Sequence, residues 1–543
     1  MRIVIIGAVA AGTSAGAKAR RNDDDAEIVI YEKDQDISYS GCGLPYFIGN
    51  EIADVSELTP RDSSFFKEKY NIDIKIKHEV LSIDKKFQTL KVINLETQEV
   101  IEDHYDKLII ATGAHSFIPP IEGVEQEHVF SLRNVQDALK IKRFIDEKKP
   151  NKALIAGTGF IGFELLENLM ARNIQVTLVE IADKITPNLD KDMATYLESK
   201  LSEKGVRILK STGIKKIMSQ EVLLTNNSLE ETNLIILATG VRPNVSLAKG
   251  IGLEIGVTGA IKVDPSMLTS DQNIYACGDC IETYSSITGK AVYRPLGSTA
   301  NKTGRIAGNA ISGGQMLYRG NLSTSIFKLF DETIASTGLS EEEALKEGFD
   351  IEVIHNIKPD KPAYFKGENM VIKAIADKVS KRILGVQIIG KQGVDKRIDV
   401  FATLITYKAT VDELFHLDLA YAPPFSTTKD PVHYTGMILD NAINNNRKIM
   451  TSEALSKIEE EVQIVDARTK KDYETKGCVD GAVNMPHSMI RQQMKTLDPQ
   501  KKTITYCNKG TTGNAAQNIL LNRGFKEVYN LSGGHTFYKT TKK

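Results

Sequence analysis

The stretch RIVIIGAVAAG, residues 2–12, decides the fold of the first part of the chain. Its apolar run, rich in Ile and Val, predicts a buried strand, and the glycines that follow predict a tight turn into a helix. A second apolar run, EIVIYE, ends at Glu32, which lies 25 residues after Gly7. Strand, glycine turn, helix, strand and acid in this order are typical of a dinucleotide-binding unit, because glycine lets the backbone approach a pyrophosphate at the helix N-terminus and the acid bonds a ribose.

The same pattern occurs a second time. The run KALIAG (152–157) leads into a turn with glycines at 157, 159 and 162, and the run IQVTLVE ends at Glu180, 23 residues after Gly157. The first turn has Val9 where the second has its middle glycine. An acid at position 180 would repel the 2′-phosphate of NADPH, so the second unit is predicted to prefer NADH.

Three further apolar runs belong with these two units. KLIIATG (107–113) and LIILATG (234–240) share their last three residues, and NIYACGDC (273–280) ends in a small, acidic segment. We interpret all three as buried strands, and the first two as ending where the chain passes close to a ligand. The sequence therefore predicts an α/β protein with two interleaved Rossmann-like halves.

Composition limits the kind of protein further. The chain has 543 residues, a net charge of -1, 41% hydrophobic and 26% charged residues, which predicts several globular domains and no electrostatic field for nucleic acid or an anionic membrane. No apolar run approaches the roughly 20 residues of a membrane span. Five cysteines, an odd number thinly spread, are typical of a reducing compartment, so we expect a cytoplasmic enzyme.

Three motifs carry a family resemblance. They are SYSGCGLPY (38–46), Cys-Gly-Asp (277–279) and YAPPF (421–425). Residues 1 to about 445 resemble the two-dinucleotide flavoprotein disulfide reductases, and residues 454–543 resemble a rhodanese domain. The combination is similar to the coenzyme A-disulfide reductase and rhodanese fusion family, also described as NADH-dependent persulfide reductases.

The resemblance implies a domain order. It places a FAD-binding domain at 1–113 and 244–320, an NADH-binding domain at 114–243, an α+β dimerisation domain at 321–445, a linker at 446–453 and a C-terminal α/β rhodanese domain at 454–543.

It also implies ligands and contacts. FAD is the expected cofactor, NADH the co-substrate, and coenzyme A a substrate or a tightly bound group, in a homodimer without a metal. Asp279 is expected at the ribityl or phosphate region of FAD, and Tyr364 and Tyr421 of one subunit near the active site of the other. The expected nucleotide contacts are Gly7, Ala11, Gly12, Glu32, Thr112, Gly113, Asp279, Gly157, Gly159, Gly162, Glu180 and Gly240, and the expected coenzyme A contacts are Ser14, Lys18, Arg21, Ser38, Lys67 and Lys429.

Cys42 is the candidate redox thiol. Pro45 is placed as if in the first turn of a helix, and a helix N-terminus is expected to lower the pKa of a nearby thiol and so to activate it. Dithiol reductases have a second cysteine five positions on, where this chain has Phe47, so Cys42 would act singly. Peroxide-reducing relatives have a histidine in the first glycine turn, where this chain has Ala10. We therefore expect disulfide or persulfide sulfur as the substrate, since a thiolate leaves without an acid.

Cys507 is the second candidate. It ends an apolar run and opens the glycine-containing loop NKGTTG (508–513), whose backbone N–H groups would surround a persulfide anion. Many rhodaneses have a basic residue where this loop has Thr511 and Thr512, which leaves Lys509 as its only charge and the turnover of thiosulfate open.

The other cysteines are interpreted as structural. Cys277 and Cys280 form a C-x-x-C without the second pair that zinc requires, within the predicted flavin-binding turn. Packing thiols are the favoured interpretation and a redox pair the alternative. Cys478 lies in a polar turn and is taken as incidental.

Together these features predict an NADH-dependent flavoprotein that reduces coenzyme A disulfide, coenzyme A persulfide or polysulfide at Cys42, with Cys507 relaying sulfur. The alternative is an NADH oxidase that reduces O2 or peroxide and carries a non-catalytic rhodanese docking domain.

Overall fold

The computed structural model describes residues 1–542 and divides the chain into two compact units. The first unit contains Met1–Ala182 and Arg207–Asn321, and the second contains Asp183–Val206 and the chain from Leu322 onward. None of the helices in residues 1–542 has the length and apolarity that a bilayer crossing requires.

Two five-stranded parallel sheets form the core of the first unit. Their strands are almost free of exposed side chains, as expected for parallel sheets covered on both faces. In spatial order the first sheet contains Ile274–Ala276, Lys107–Ile110, Arg2–Ile6, Glu27–Tyr31 and Asp73–Lys75, and the second contains Arg207–Leu209, Gln175–Val179, Lys152–Ala156, Leu234–Leu237 and Val129–Phe130.

Helices and small antiparallel sheets complete the first unit. The helices are Ala10–Asn22, Leu44–Ile48, Ser63–Tyr70, Val135–Lys148, Phe160–Ala171, Ser246–Gly250 and Gly297–Ile311, with 3₁₀ turns at Gly41–Gly43, Val55–Leu58 and Gly278–Cys280. The additional strands are His78–Asp84, Thr89–Asn94 and Val100–His104 in one sheet, Ile214–Ile217, Glu221–Leu224 and Leu229–Glu231 in another, and the pairs Ala114–Ser116 with Val241–Pro243 and Thr283–Tyr284 with Ala291–Val292.

An antiparallel sheet of five strands begins the second unit. Its order is Ser325–Leu329, Glu332–Gly338, Ile383–Gly390, Asn369–Asp377 and Ile351–Pro359. Helices Val394–Thr406 and Pro431–Ile443 pack on it, and the unit also contains the helices Lys191–Glu203 and Glu341–Lys346 and 3₁₀ turns at Ala363–Phe365 and Glu413–His416.

A smaller parallel sheet forms the C-terminal part of the same unit. Its order is Ile449–Met450, Val528–Leu531, Thr503–Tyr506, Gln463–Asp466 and Ala482–Asn484. Its helices are Ser452–Ser456, Lys470–Lys476, Ile490–Gln493, Thr511–Asn522 and Gly534–Thr541, with a 3₁₀ turn at Met494–Thr496. The predicted α/β class, with two Rossmann-like halves followed by α+β and α/β parts, is confirmed.

One predicted segment differs from the structure. Within 446–453, expected to be a linker, Ile449–Met450 is an edge strand paired with Val528–Leu531, and helix Ser452–Ser456 begins directly after it. Strand pairing satisfies the backbone of these residues, so they are part of the C-terminal module rather than a free connection.

Candidate active site

The two glycine turns have the same geometry. Gly7 and Gly157 both have φ of 107°, a value open to glycine, and a Cβ on either would collide with the carbonyl oxygen of Ala111 or Ala238. A Cβ on Gly12 or Gly162 would likewise strike the carbonyl of the first glycine of its own turn. The internal repeat seen in the sequence is therefore a repeat of backbone structure.

Each predicted acid closes its own turn. Glu32 accepts hydrogen bonds from the backbone N–H groups of Ala8 at 2.7 Å and Asp34 at 3.0 Å. Glu180 accepts from the N–H of Thr158 at 3.0 Å, from its hydroxyl at 2.6 Å and from the N–H of Ala182 at 3.0 Å. Because a carboxylate has about four acceptor positions, Glu32 keeps about two for the hydroxyls of a ribose and Glu180 keeps about one.

The helices that follow the turns fit a pyrophosphate. The residues before them, Val9 and Gly159, make no capping hydrogen bond through a side chain. A Cβ on Gly159 would meet no other atom within 4 Å, so the backbone there is open to a close approach. Helix N-terminal N–H groups without a side-chain cap suit a phosphate anion, so the donor set fits two dinucleotides.

The strand ends lie beside these turns. The carbonyls of Ala111 and Ala238 leave no room for a side chain at Gly7 and Gly157. These alanines directly precede Thr112 and Thr239. Gly113 and Gly240 have positive φ, of 66° and 95°. Ala11 is buried against Gly278, which brings Asp279 to the first turn. The structure thus brings the predicted nucleotide contacts of each half together at one sheet edge.

Cys42 is an exposed free thiol in the 3₁₀ turn Gly41–Gly43. Helix Leu44–Ile48 follows, with Pro45 in its first turn as expected. Loss of water around the sulfur, and then the negative charges of Glu164 and Asp279, raise the pKa of the Cys42 thiol, whereas Arg133 lowers it. The expectation that the helix would lower this pKa is wrong, because loss of water around the sulfur and then two carboxylates raise it.

Two residues of this environment were not found from the sequence. Arg133 donates from Nη2 to Asp279 Oδ2 at 2.8 Å and from Nε to the Ala114 carbonyl at 2.9 Å. Burial, and then Glu167, raise the pKa of Glu164 to about 7. Neither residue is in a motif, and only the folding of distant segments brings them to Cys42.

The predicted coenzyme A contacts on the first helix share one face. Ser14, Lys18 and Arg21 stand at helical spacing and are accessible, and Arg21 lies 5.6 Å from the centre of the Tyr70 ring. Their neighbour Arg20 is buried and donates to the carbonyls of Tyr70 and Asn71, so it is structural.

The remaining predicted contacts lie on other elements. Lys67 is exposed on helix Ser63–Tyr70, and Ser38 has φ of 50° and donates its N–H to the Ala8 carbonyl at 2.9 Å. Lys429 belongs to the second unit, where it is exposed and its Nζ lies 5.5 Å from the centre of the Tyr434 ring.

Cys277 and Cys280 are fully buried free thiols. Burial raises the pKa of both, that of Cys280 to about 11. Thiols that stay protonated and inaccessible are poor nucleophiles, which supports the packing interpretation. Cys478 is a half-buried free thiol. Within residues 1–542, His, Cys, Asp and Glu form no group of three or more that could hold a metal ion.

Cys507 follows strand Thr503–Tyr506 and is 6% exposed. Its loop turns at Gly510, with φ of 93°, into helix Thr511–Asn522. Lys509 is not the only cation at this loop, because Lys358 of the antiparallel sheet donates to Thr511 Oγ1 at 2.8 Å.

Tyr364 and Tyr421 are among the most exposed aromatic residues of the second unit, at 74% and 48%. Phe425 is 70% exposed in the same YAPPF segment. Exposed aromatic side chains are typical of protein interfaces.

Comparison with known proteins agrees with this geometry. Residues 1–301 match the family model of pyridine nucleotide-disulphide oxidoreductases, residues 324–431 match the dimerisation domain of that family, and residues 450–540 match the rhodanese-like domain. A coenzyme A disulfide reductase of Staphylococcus haemolyticus is 35% identical over 438 residues, which cover 80% of this chain and 98% of the relative.

Two solved structures share the whole architecture. Reduced Bacillus anthracis CoADR-RHD is 37% identical with a TM-score of 0.97 and covers 99% of this chain and 98% of its own. A NAD-dependent persulfide reductase from A. fulgidus is 37% identical with a TM-score of 0.92 and covers 99% of this chain and 100% of its own.

Proposed function

Because the chain belongs to the pyridine nucleotide-disulfide oxidoreductase family and carries a C-terminal rhodanese domain, we propose that it reduces sulfur–sulfur bonds at Cys42 with electrons from NADH. One observation carries this proposal: a single exposed thiol lies in the unit that holds both nucleotide turns. Bound FAD would supply the electron pair that NADH delivers as hydride.

The two nucleotide sites are assigned by the turns. Gly7, Gly12, Glu32, Thr112, Gly113 and Asp279 would hold FAD, and Gly157, Gly159, Gly162, Glu180 and Gly240 would hold NADH. Ala11 would act by packing Gly278 against the first turn, since its side chain is buried there. The corresponding domain limits remain those proposed from the sequence, with the C-terminal module extended to include Ile449–Met450.

The sulfur step balances in atoms and electrons. The Cys42 thiolate attacks one sulfur of a disulfide or persulfide, forms a new S–S bond to it and releases the other sulfur as a thiolate. Two electrons and one proton, together the equivalent of the NADH hydride, then return Cys42 to the thiolate and release the second sulfur product as a thiol. Because loss of water around the sulfur, and then nearby carboxylates, raise the pKa of the Cys42 thiol, a smaller fraction of it is ionised for the first step.

Coenzyme A is the proposed carrier of the substrate sulfur. The Staphylococcus haemolyticus relative is named for coenzyme A disulfide and the A. fulgidus structure for persulfide. Coenzyme A carries a 3′-phosphate and a pyrophosphate, which suit the accessible cations Lys18, Arg21 and Lys67, with Ser14 and Ser38 as further contacts. Lys429 is the remaining contact that we propose from the sequence. The substrates would be coenzyme A disulfide, coenzyme A persulfide or polysulfide.

The dimerisation domain supports a homodimer. Tyr364 and Tyr421 of the partner subunit would then face Cys42, which gives their exposed phenols a function. All five cysteines of the chain are free thiols, in keeping with a cytoplasmic enzyme.

Cys42 and Cys507 would divide the work. Cys507 would capture sulfur as a persulfide, and coenzyme A would carry it to Cys42. Cys42→Ser should abolish every NADH-dependent sulfur reduction, whereas Cys507→Ser should spare coenzyme A disulfide and impair polysulfide. Cys478→Ser is the matched control and should behave as wild type.

Stopped-flow turnover with coenzyme A disulfide and with polysulfide tests this division. NADH consumption in aerated buffer without a sulfur substrate measures any oxidase activity. If Cys507→Ser equals wild type with every sulfur donor, the relay fails and a docking role replaces it. If Cys42→Ser still reduces coenzyme A disulfide, the assignment of the redox thiol is wrong.

A further inference from the structure

A cavity of about 130 Å3 lies beside the Cys507 loop, within the second unit. Three cationic residues from different parts of the chain line it: Lys358 from strand Ile351–Pro359, Arg447 from the segment before the C-terminal sheet, and Lys509 from the loop itself. No Asp or Glu of residues 1–542 is among its lining residues. The cavity therefore carries an uncompensated positive charge.

The three cations bond only neutral groups. Lys358 donates to Thr511 Oγ1 at 2.8 Å and lies 3.9 Å from the centre of the Tyr434 ring. Lys509 donates to Asn369 Oδ1 at 2.8 Å, and Arg447 donates to Asn518 and to the Asn445 carbonyl. None of the three forms an ion pair with another residue in the described part of the chain.

This arrangement has an electrostatic cost that an anion would remove. Burial, and then the positive charges of Lys509 and Lys429, lower the pKa of Lys358, while the negative charge of Cys507 opposes them. Like charges gathered in a desolvated place repel unless a counter-charge binds among them. The coupling also shows that Lys358 lies within electrostatic range of the Cys507 sulfur.

The charge of the cavity indicates the class of ligand. Among the described residues its lining offers three cations and no carboxylate, and a space of about 130 Å3 is ample for a small tetrahedral oxyanion. A small oxyanion therefore fits both the volume and the charge.

We propose that Lys358, Arg447 and Lys509 form a binding site for a small divalent oxyanion next to Cys507, so that a residue of the dimerisation domain determines which sulfur donors the rhodanese loop accepts. The proposal rests on the sulfur-capturing role of Cys507 stated above. Lys358 supplies the basic group that Thr511 and Thr512 do not provide, and thiosulfate becomes an accepted donor.

The transfer balances in atoms, electrons and charge. The Cys507 thiolate attacks the outer sulfur of thiosulfate, a Cys507 S–S bond forms, the sulfur–sulfur bond of thiosulfate breaks, and sulfite leaves with the electron pair. Three negative charges enter and three leave, as one persulfide anion and one sulfite dianion. The cavity would hold the oxyanion end while the outer sulfur reacts.

Binding is tested apart from the reaction. Full-length holoenzyme that carries Cys507→Ser is dialysed to equilibrium against ³⁵S-thiosulfate. The same measurement is made on three double variants, in which Cys507→Ser is combined with Lys358→Gln, Lys358→Arg or Lys328→Gln. Lys328 is an exposed lysine on the opposite edge strand of the same sheet and serves as the control. We expect Lys358→Gln to weaken binding about tenfold or more, and Lys358→Arg and Lys328→Gln to retain it.

Competition identifies the ligand class. Sulfate is expected to displace thiosulfate, and adenosine 3′,5′-bisphosphate is not. Displacement by the nucleotide at concentrations where sulfate has no effect would assign the cavity to a cofactor phosphate and overturn the proposal. Equal binding of thiosulfate by the Cys507→Ser protein with and without Lys358→Gln would also overturn the proposal.

Sulfur loading of Cys507 provides the second measurement, by mass spectrometry and released sulfite. Lys358→Gln should slow loading from thiosulfate about tenfold and leave loading from mercaptoethanol persulfide, which lacks an oxyanion, unchanged. An equal loss with both donors would mean that Lys358 only shapes the loop. The wild-type protein could also bind thiosulfate and yet take up no sulfur on Cys507 from either donor. That result would refute the sulfur relay of the proposed function but leave the anion site standing.

Discussion

Arg133 donates from Nη2 to the Asp279 carboxylate at 2.8 Å, and this ion pair joins residues 146 positions apart whose charges both act on Cys42. The two charges act on Cys42 in opposite directions, Asp279 raising and Arg133 lowering the pKa of its thiol. Since the thiolate is the nucleophile, this ion pair adjusts the fraction of Cys42 that can attack sulfur.

Arg133→Gln should raise the pKa of the Cys42 thiol further, because the cation that stabilises the thiolate is lost and the opposing charge of Asp279 is left unpaired. The rate of iodoacetamide alkylation of the Cys42 peptide, followed against pH by mass spectrometry, measures this pKa. Arg143→Gln, which changes an exposed arginine of the helix that follows Arg133, is the control. An unchanged pH profile in Arg133→Gln would limit that residue to a structural role.

Glu164→Gln should have the opposite effect. The pKa of Glu164 is raised to about 7 by burial and then by Glu167, so this carboxyl gains its negative charge as the pH rises through neutrality. That charge disfavours the Cys42 thiolate, so its removal should lower the thiol pKa and increase alkylation above pH 7. The exposed Glu102→Gln should leave the profile unchanged, and a slower reaction in Glu164→Gln would contradict the electrostatic account.

Glu180→Ala should reduce the preference for NADH over NADPH. Hydrogen bonds from ribose hydroxyls to a carboxylate are worth about 1.5–3 kcal/mol, so kcat/KM for NADH should fall about tenfold or more while that for NADPH changes less. Glu180 also accepts from Thr158, so the thermal midpoint and the FAD content of the variant are measured beside the kinetics. Equal kcat/KM values for the two nucleotides in the wild type would remove the basis of this assignment.

Tyr421→Phe should slow disulfide reduction about 10²-fold, the usual size of a general-acid effect, and leave reduction of the flavin by NADH intact. Tyr421 is 48% exposed in the single chain, so loss of its hydroxyl should not destabilise the fold. Tyr407→Phe, at an 81% exposed position of the same unit, is the control. If flavin reduction by NADH and disulfide reduction slow equally, the contribution of Tyr421 is structural.

Lys373→Met should destabilise the second unit. Its ammonium is 1% exposed and lies 2.6 Å from Glu341, 2.9 Å from Asp192 and 3.1 Å from Asp190. Burial lowers the pKa of Lys373, but these carboxylates raise it above its usual value. A raised pKa contributes stability that is complete below about pH 10.4 and is lost as the pH rises through the folded value.

At pH 7 the contribution of Lys373 is therefore complete, and Lys373→Met takes the ammonium partner away from the buried Asp190 and the partly buried Asp192, at a cost of about 3–5 kcal/mol. Urea unfolding followed by circular dichroism measures this loss. Lys378→Met removes an exposed lysine paired with Asp350 and should change stability by less than about 1 kcal/mol. Similar effects of the two substitutions would show that the buried cluster is not stabilising.

The sequence predicted the nucleotide-binding halves well, because their signals are local. A β-strand, a glycine turn and a helix N-terminus follow one another along the chain, and the positive φ of Gly7 and Gly157 is a property of the turn itself. The two closing acids follow from the same spacing. The position of Cys42 in a turn before a helix is local in the same way.

The prediction about the pKa of Cys42 was wrong. Loss of water around the sulfur, and then Glu164 and Asp279, raise this pKa, and the two carboxylates come from other segments that no pattern near residue 42 indicates. The fold also separates the basic residues of the first helix into two kinds, which the sequence did not distinguish. Arg20 is buried and donates to backbone carbonyls, whereas Lys18 and Arg21 stay accessible.

The amino-acid sequence by itself determined which units exist, which thiols could react and which family the chain resembles, because turns, strand periodicity and motif spacing are properties of short segments. Only the tertiary structure decided the electrostatics of those thiols. Lys358 and Thr511 are 153 residues apart and meet at 2.8 Å, and Coulomb interactions depend on distance in space and on the exclusion of water rather than on position in the chain.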